Sequence, residues 1–190
     1  MKQAELINII NQCRLGNTEP FRKIVEVYQP MVFRVAFRLL CDEEEAKDVV
    51  QETFLRTWEN LYRYKFEYKF STWIYTIATR LCLDVLKKPH HKIMPKEANE
   101  QLYKLSSSDD VERKFENEEL VQIIHALTSG LSPKQKSVFV LHYFEEQDTA
   151  EIEKITGLSP QKIKSNLYVA KQNILSKLKS INYDGGRKTV

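Results

Sequence analysis

Residues 42–61, DEEEAKDVVQETFLRTWENL, restrict the fold of this chain more than any other stretch. Asp42 suits an N-cap, Glu45 falls at N3, and the acidic first turn complements the positive end of the helix dipole. Val50, Phe54, Trp58 and Leu61 follow at helical spacing and form an apolar stripe. Asp48, Gln51, Glu52, Leu55 and Glu59 lie off that stripe, so this helix carries an acidic and amide face that its own burial does not need. Nearly every other periodic segment is also helical, and no hairpin pattern stands out. The expected fold class is all-α.

The segments fall into two helical regions. The first covers about residues 1–88. One helix runs through ELINIINQCRL to Gly16. A second begins at Glu19-Pro20, with Phe21, Ile24, Val25 and Tyr28 on its apolar face, and Pro30 starts or kinks a third that carries Val32, Phe33, Ala36, Phe37 and Leu40. The helix from Asp42 comes next, then YRYKFEYKF, then a helix from Ser71 to about Lys88. Residues 89–110 hold two prolines and a serine run and read as a flexible linker. The second region covers 111–181, and 182–190 form a tail. Its first helix carries Val111, Phe115, Leu120, Ile123, Ile124 and Leu127. Ser132-Pro133 opens another, with Gln135 closing a capping box, and the same Leu-Ser-Pro signal recurs at Leu158.

Composition narrows the function classes. No stretch approaches the roughly 20 apolar residues that cross a bilayer. The polar start MKQAELINIINQC is not a secretory signal, so a cytoplasmic location is expected, without membrane insertion. Cys13, Cys41 and Cys82 are odd in number and far apart; they read as small core residues. His90, His91, His125 and His142 have no partners at metal-ligand spacing, so no metal and no cofactor is expected. No glycine-rich phosphate loop and no nucleophile–base pair marks a catalyst or a small-molecule substrate. The net charge is only +3, but from Ser159 onward seven basic residues face the single acid Asp184, which points to an anionic partner.

DTAEIEKITGLSPQKIKSNLYVAKQNILSKL has the form of a helix-turn-helix. Thr149 to Thr156 is a short first helix with Ile152 and Ile155 inward. Gly157 supplies a left-handed turn residue, Leu158 plugs the corner, and Ser159 caps the second helix. Ile163, Leu167, Ala170 and Ile174 face inward. Gln161, Lys162, Lys164, Ser165, Asn166, Tyr168 and Lys171 lie opposite. Amides and hydroxyls for base edges beside ammonium groups for phosphates are what a major-groove helix needs.

Residues 62–75 interleave aromatics with bases: Tyr62, Arg63, Tyr64, Lys65, Phe66, Tyr68, Lys69, Phe70, Trp73 and Tyr75. Stacking faces mixed with cations suit single-stranded nucleic acid. Large aromatics mostly pack inward, so some of Phe66, Phe70 and Trp73 are expected in the core instead.

These strings together resemble the extracytoplasmic-function (ECF) sigma factors of bacteria. DVVQETFLRTW resembles their D-x-V-Q-E-T-F-x-x-x-W segment, FSTWIYTIATRLCLDVLKK their F-x-x-W-L-Y-R-I-A-R-N-x-x-x-D-x-L-R-R segment, and LSPKQKSVFVLHYFEEQDTAEI their L-x-P-x-Q-R-x-V-F-x-L-x-Y-F-x-G-x-x-x-x-E-I segment. The resemblance runs from about Phe21 to Leu178. It implies two helical domains, regions 2 and 4 of such factors. Asp48, Gln51, Glu52 and Leu55 would then dock on the β′ clamp helices of core RNA polymerase, and the second domain on the β flap.

The resemblance also implies that Tyr64 to Ser71, including Lys65, Phe66 and Lys69, form a loop that captures an extruded base of the promoter −10 element. Thr76, Thr79, Arg80, Lys87 and Lys88 would contact the surrounding DNA. Gln161, Lys162, Lys164, Ser165, Asn166, Tyr168 and Lys171 would read the −35 element. An anti-sigma factor is a further implied partner. Several positions depart from the pattern: Thr76 and Thr79 stand where arginine is common, Arg80 where asparagine is, Asn166 and Val169 where arginines are, and Glu153 where alanine is usual. Glu153 is expected to snorkel outward.

Overall fold

The chain begins with α1 (Gln3–Arg14), whose buried face is Leu6, Ile9, Ile10 and Cys13. The computed structural model describes residues 1–88 and 123–185. The expected linker 89–110 and the first part of the next expected helix, 111–122, lie outside the described residues, as do 186–190 of the tail. After α1 come α2 (Phe21–Leu40), α3 (Glu43–Glu59), a 3₁₀ turn (Leu61–Arg63) and α4 (Phe70–Lys87). Residues 123–128 are helical. They are followed by α5 (Pro133–Tyr143), α6 (Thr149–Thr156) and α7 (Pro160–Gly185). No strand occurs among the described residues.

The caps fall where residue chemistry places them. Asp42 Oδ1 accepts from the Glu45 amide at 2.9 Å. Ser132 and Gln135 form the reciprocal capping box that opens α5. Asp148 caps α6 by accepting from the Glu151 amide, and Gly157 ends it at φ 70°. Glu146 takes φ 52° in the turn before α6, where the family pattern has glycine.

Three expectations change. Pro30 neither starts nor divides a helix: α2 runs unbroken through it. Pro30 is exposed, while Ile24 on one side of it and Val32, Val35, Ala36 and Leu39 on the other are fully buried. Burial of that continuous stripe outweighs the lost amide bond. Cys41 is not an interior residue like Cys13 and Cys82; it is the half-buried left-handed cap of α2, at φ 58°. Finally, α7 continues to Gly185, past the expected start of the tail at 182.

α2, α3 and α4 form the first bundle around Val32, Val35, Leu39, Ala46, Ile74 and Ala78, with Ile10 of α1 wedged against it. α5, α6 and α7 close around Val138, Leu141, Ile152, Ile155 and Ile163, all fully buried. The two bundles share one buried cluster. α2 and α4 pack on α5, and α4 also packs on α6.

Candidate nucleic-acid interface

The outward face of α3 is open. Asp48 and Gln51 are exposed, and Leu55 keeps 59% of its surface in solvent. Glu52 binds Arg56 one turn on, at 2.6 Å. Gln51 and Leu55 border a shallow recess completed by Phe21, Phe54 and Trp58, and Phe21 meets Trp58 edge-on at 5.1 Å. An exposed leucine over an apolar recess, ringed by acids and an amide, is a surface suited to another protein.

The aromatic loop is split between core and surface. Tyr64 is only 6% exposed. Its ring contacts Phe66, Phe70 and Trp73 at 5.0–5.5 Å, and its hydroxyl donates to the Tyr68 carbonyl at 2.5 Å. Burial pushes its phenol pKa up. Tyr64 therefore anchors the loop and offers no stacking face here, which corrects the expectation placed on it. Lys65 and Lys69 are exposed, and Phe66 and Ser71 half-exposed. A recess of about 270 Å³ opens between this loop and α1; Gln3, Leu6, Phe66, Tyr68, Lys69 and Ser71 are among its walls.

On α4, Arg80, Lys87 and Lys88 project into solvent, the last as the residue after the helix. Thr76 is half-buried and its hydroxyl donates to the Thr72 carbonyl. Thr79 is fully buried and its hydroxyl lacks a partner. Thr79 sits on the side of α4 that packs inward, so it would have to be uncovered to contact DNA.

α7 differs. Gln161, Lys162, Lys164, Ser165 and Lys171 are all exposed, and Tyr168 keeps 66% of its surface in solvent. Ile163, Ala170 and Ile174 are buried opposite. Asn166 is half-exposed, and its amide donates to the Lys162 carbonyl at 2.7 Å. Glu153 is exposed, as expected, and the helix-turn-helix corner forms around Leu158.

The contact between the bundles was not legible in the sequence. The Glu145 side chain is 1% exposed. Arg38 donates to its Oε1 at 2.5 Å and to the Phe144 carbonyl at 2.9 Å, while Tyr75 donates to its Oε2 at 2.7 Å. Arg34 lies 3.6 Å from the same carboxylate. Burial and the Glu145 charge raise the Tyr75 pKa well above its ordinary value. Glu151 accepts from the Thr72 hydroxyl at 2.5 Å and from Lys154 at 2.9 Å. The Thr72 bond, then the lysine, holds its carboxyl below the usual range. Thr76 and Thr79 follow Thr72 by four and seven positions, so they share the side of α4 that meets α6.

Known proteins match both halves. Residues 24–91 match Sigma-70 region 2, and 121–174 match Sigma-70, region 4. The ECF RNA polymerase sigma factor SigW of Bacillus subtilis is 28% identical over 90% of this chain and 96% of its own length. BldN of Streptomyces coelicolor is 23% identical over 88% of this chain, which spans 63% of that protein. The fold is that of CnrH, solved with the cytosolic domain of CnrY, at a TM-score of 0.68, 17% identity and coverage of 94% of this chain and 99% of the other. RpoE from Bartonella quintana, solved with the anti-sigma factor NepR, follows at 0.63, with 19% identity and 85% and 98% coverage. With both sigma regions present in order, the chain belongs to the ECF sigma factors of the sigma-70 family.

Proposed function

We propose that this chain binds core RNA polymerase through the outward face of α3 and directs transcription initiation at promoters. The loop 64–71 and the exposed part of α4 read the −10 element, and α7 reads the −35 element. The observation that carries this reading is the pairing, in one chain, of an exposed acidic-amide helix face with a helix-turn-helix whose Lys162, Lys164 and Lys171 are all exposed. Asp48, Gln51, Glu52 and Leu55 meet the β′ clamp helices, and the second bundle meets the β flap. The protein acts as a regulatory subunit in the cytoplasm and performs no chemistry of its own. No helix among the described residues is long and apolar enough to cross a membrane. CnrH was solved with the cytosolic domain of CnrY and RpoE with the anti-sigma factor NepR, which supports an anti-sigma partner for this chain also.

The physical logic rests on small increments. Each base stacked on an aromatic contributes about 1–3 kcal/mol. That assists polymerase in opening DNA at one site and is too little to open it unaided. Reaching the inner side of α4 requires the two bundles to part, because Thr72 and Tyr75 there are bonded to Glu151 and Glu145.

Gel filtration with core RNA polymerase from the source bacterium tests the reading. Stoichiometric co-elution is expected, lost in the Gln51→Ala, Glu52→Ala double variant with its melting temperature kept. The exposed Glu52–Arg56 pair contributes only about 0.3–0.5 kcal/mol to the fold, so its loss leaves the helix intact. Failure of the folded wild type to co-elute at low salt sinks the polymerase role and leaves a free-standing duplex-DNA regulator.

A further inference from the structure

We infer that Arg14, at the end of α1, is a positioning residue for the −10 loop: it locks the loop backbone in the shape that receives the extruded base. This deepens the proposed reading of residues 64–71 and rests on it. Arg14 precedes the segment matched to Sigma-70 region 2, which starts at residue 24.

The geometry is specific. Arg14 Nε and Nη2 both donate to the Leu61 carbonyl, at 3.2 and 3.0 Å. Nη2 also donates to the Tyr64 carbonyl. The guanidinium lies 5.0 Å from the centroid of the Phe66 ring. One side chain thus fixes the 3₁₀ turn, the first residue of the loop and a half-exposed aromatic at the recess. Lys65, Glu67, Tyr68 and Lys69 make the rest of the loop's surface and are all exposed. A loop that must order itself on capture loses binding energy to that ordering; one held beforehand does not. Lysine cannot reproduce the clamp, since it lacks the planar fork that serves two carbonyls and an aromatic face together. α1 itself packs on α2 through buried Ile10, with the exposed Glu5–Lys23 ion pair at the edge of the contact. Its Gln3 and Leu6 form the opposite wall of the recess. The clamp therefore transmits a fixed bundle position to the loop.

The test uses holoenzyme assembled from the full chain and core polymerase. Its probe is a pool of randomised single-stranded DNA oligonucleotides, selected for retention. The wild type is expected to prefer one base at one position of the selected strand. Arg14→Gln and Arg14→Lys are each expected to weaken binding of that strand about tenfold, the scale of one stacked base, and to flatten the preference at that position alone. Their core-polymerase affinity stays at the wild-type value, and their melting temperatures fall by only a few degrees, the scale of the lost hydrogen bonds. Lys69→Ala, on the same loop, is the control. If Lys69→Ala weakens the selected strand while both Arg14 variants bind it as the wild type does, the inference is overturned and the loop reading stands. If none of the three changes binding, the loop reading fails and the inference fails with it. If the Arg14 variants lose polymerase affinity, melting temperature and strand binding together, Arg14 is a fold residue and the inference is overturned.

Discussion

The two regions proposed to meet DNA are built on opposite plans. α7 divides its labour by residue type: aliphatic residues pack and polar ones face out, so Ile163 is fully buried while Gln161, Lys162 and Lys164 are open. The loop and α4 use one residue type for both tasks. Tyr64, Phe66, Phe70 and Trp73 form a single aromatic cluster whose rim is the candidate binding surface. A duplex-reading helix needs only a rigid face, since base edges are already displayed in the groove. Capturing an extruded base needs a recess, and a recess has to be walled by residues that belong to the core. On that reading α7 is open as it stands, whereas one side of α4 is covered by the other bundle.

The sharpest way to break this contrast is to remove the contact that covers α4. Glu145→Ala takes away the carboxylate shared by Arg38, Tyr75 and Arg34. Deleting one partner of a buried, hydrogen-bonded charge pair costs about 3–5 kcal/mol. Small-angle scattering is expected to show the bundles separating, and a single-stranded probe is expected to bind more tightly because α4 is uncovered. Duplex binding through α7 stays as it was. An unchanged scattering profile would show that apolar packing between α4 and α6 holds the bundles without Glu145.

The next effect tests whether α7 separates specificity from affinity. Asn166→Ala is expected to relax preference at one −35 position by about 1–3 kcal/mol. Lys164→Ala is expected to weaken all sequences alike and to lower the salt slope by about 1. Binding to a promoter library at three salt concentrations reads both. The Asn166 amide donates to the Lys162 carbonyl in the free protein, so reading a base requires that bond to break; an unchanged Asn166→Ala profile would count against this placement of the recognition helix.

Acid is expected to loosen the contact between the bundles more gently. Glu151 has a carboxyl held below its ordinary value of 4.5 by Thr72 and Lys154. A carboxylate favoured in the folded state adds stability at pH above the unfolded value and loses it as pH falls through the lowered one. The contact between α4 and α6 is therefore expected to hold at neutral pH and to weaken below about pH 4.5. Melting curves of Glu151→Gln should be flatter across that acid range than those of the wild type. Parallel curves would assign the acid sensitivity to other carboxylates.

Much of this was legible in advance, for identifiable reasons. Asp42, Ser132, Gln135 and Gly157 each make a local bond or take a local φ that depends on neighbours within four residues, and each fell where residue chemistry puts it. The exposed faces of α3 and α7 followed from helical spacing. Contacts between distant residues did not. Arg14 reaching Leu61, Arg38 reaching Glu145 and Thr72 reaching Glu151 span 47, 107 and 79 positions and leave no periodic trace. Pro30 was misleading because a proline signals a break locally, while the buried stripe that overrides it is set by the whole bundle. Tyr64 was misleading because aromatic rings suit core and base stacking equally.

The smallest expected effect falls on Thr79, where the two plans meet in one residue. Its hydroxyl is buried without a hydrogen-bond partner, a placement that costs about 1–3 kcal/mol for a polar group removed from water. Valine has nearly the same shape and no group to satisfy. If Thr79 serves only the interior of α4, Thr79→Val is expected to stabilise the protein by up to about 1 kcal/mol and to leave single-stranded DNA binding untouched. If Thr79 turns outward once α6 lifts away, the same substitution stabilises the closed protein but weakens the selected strand. Melting temperature and strand affinity measured on one variant distinguish these outcomes. Repeating the pair in the Glu145→Ala background strengthens the distinction, because there α4 is uncovered from the start and the stabilisation should shrink while any loss of DNA binding remains.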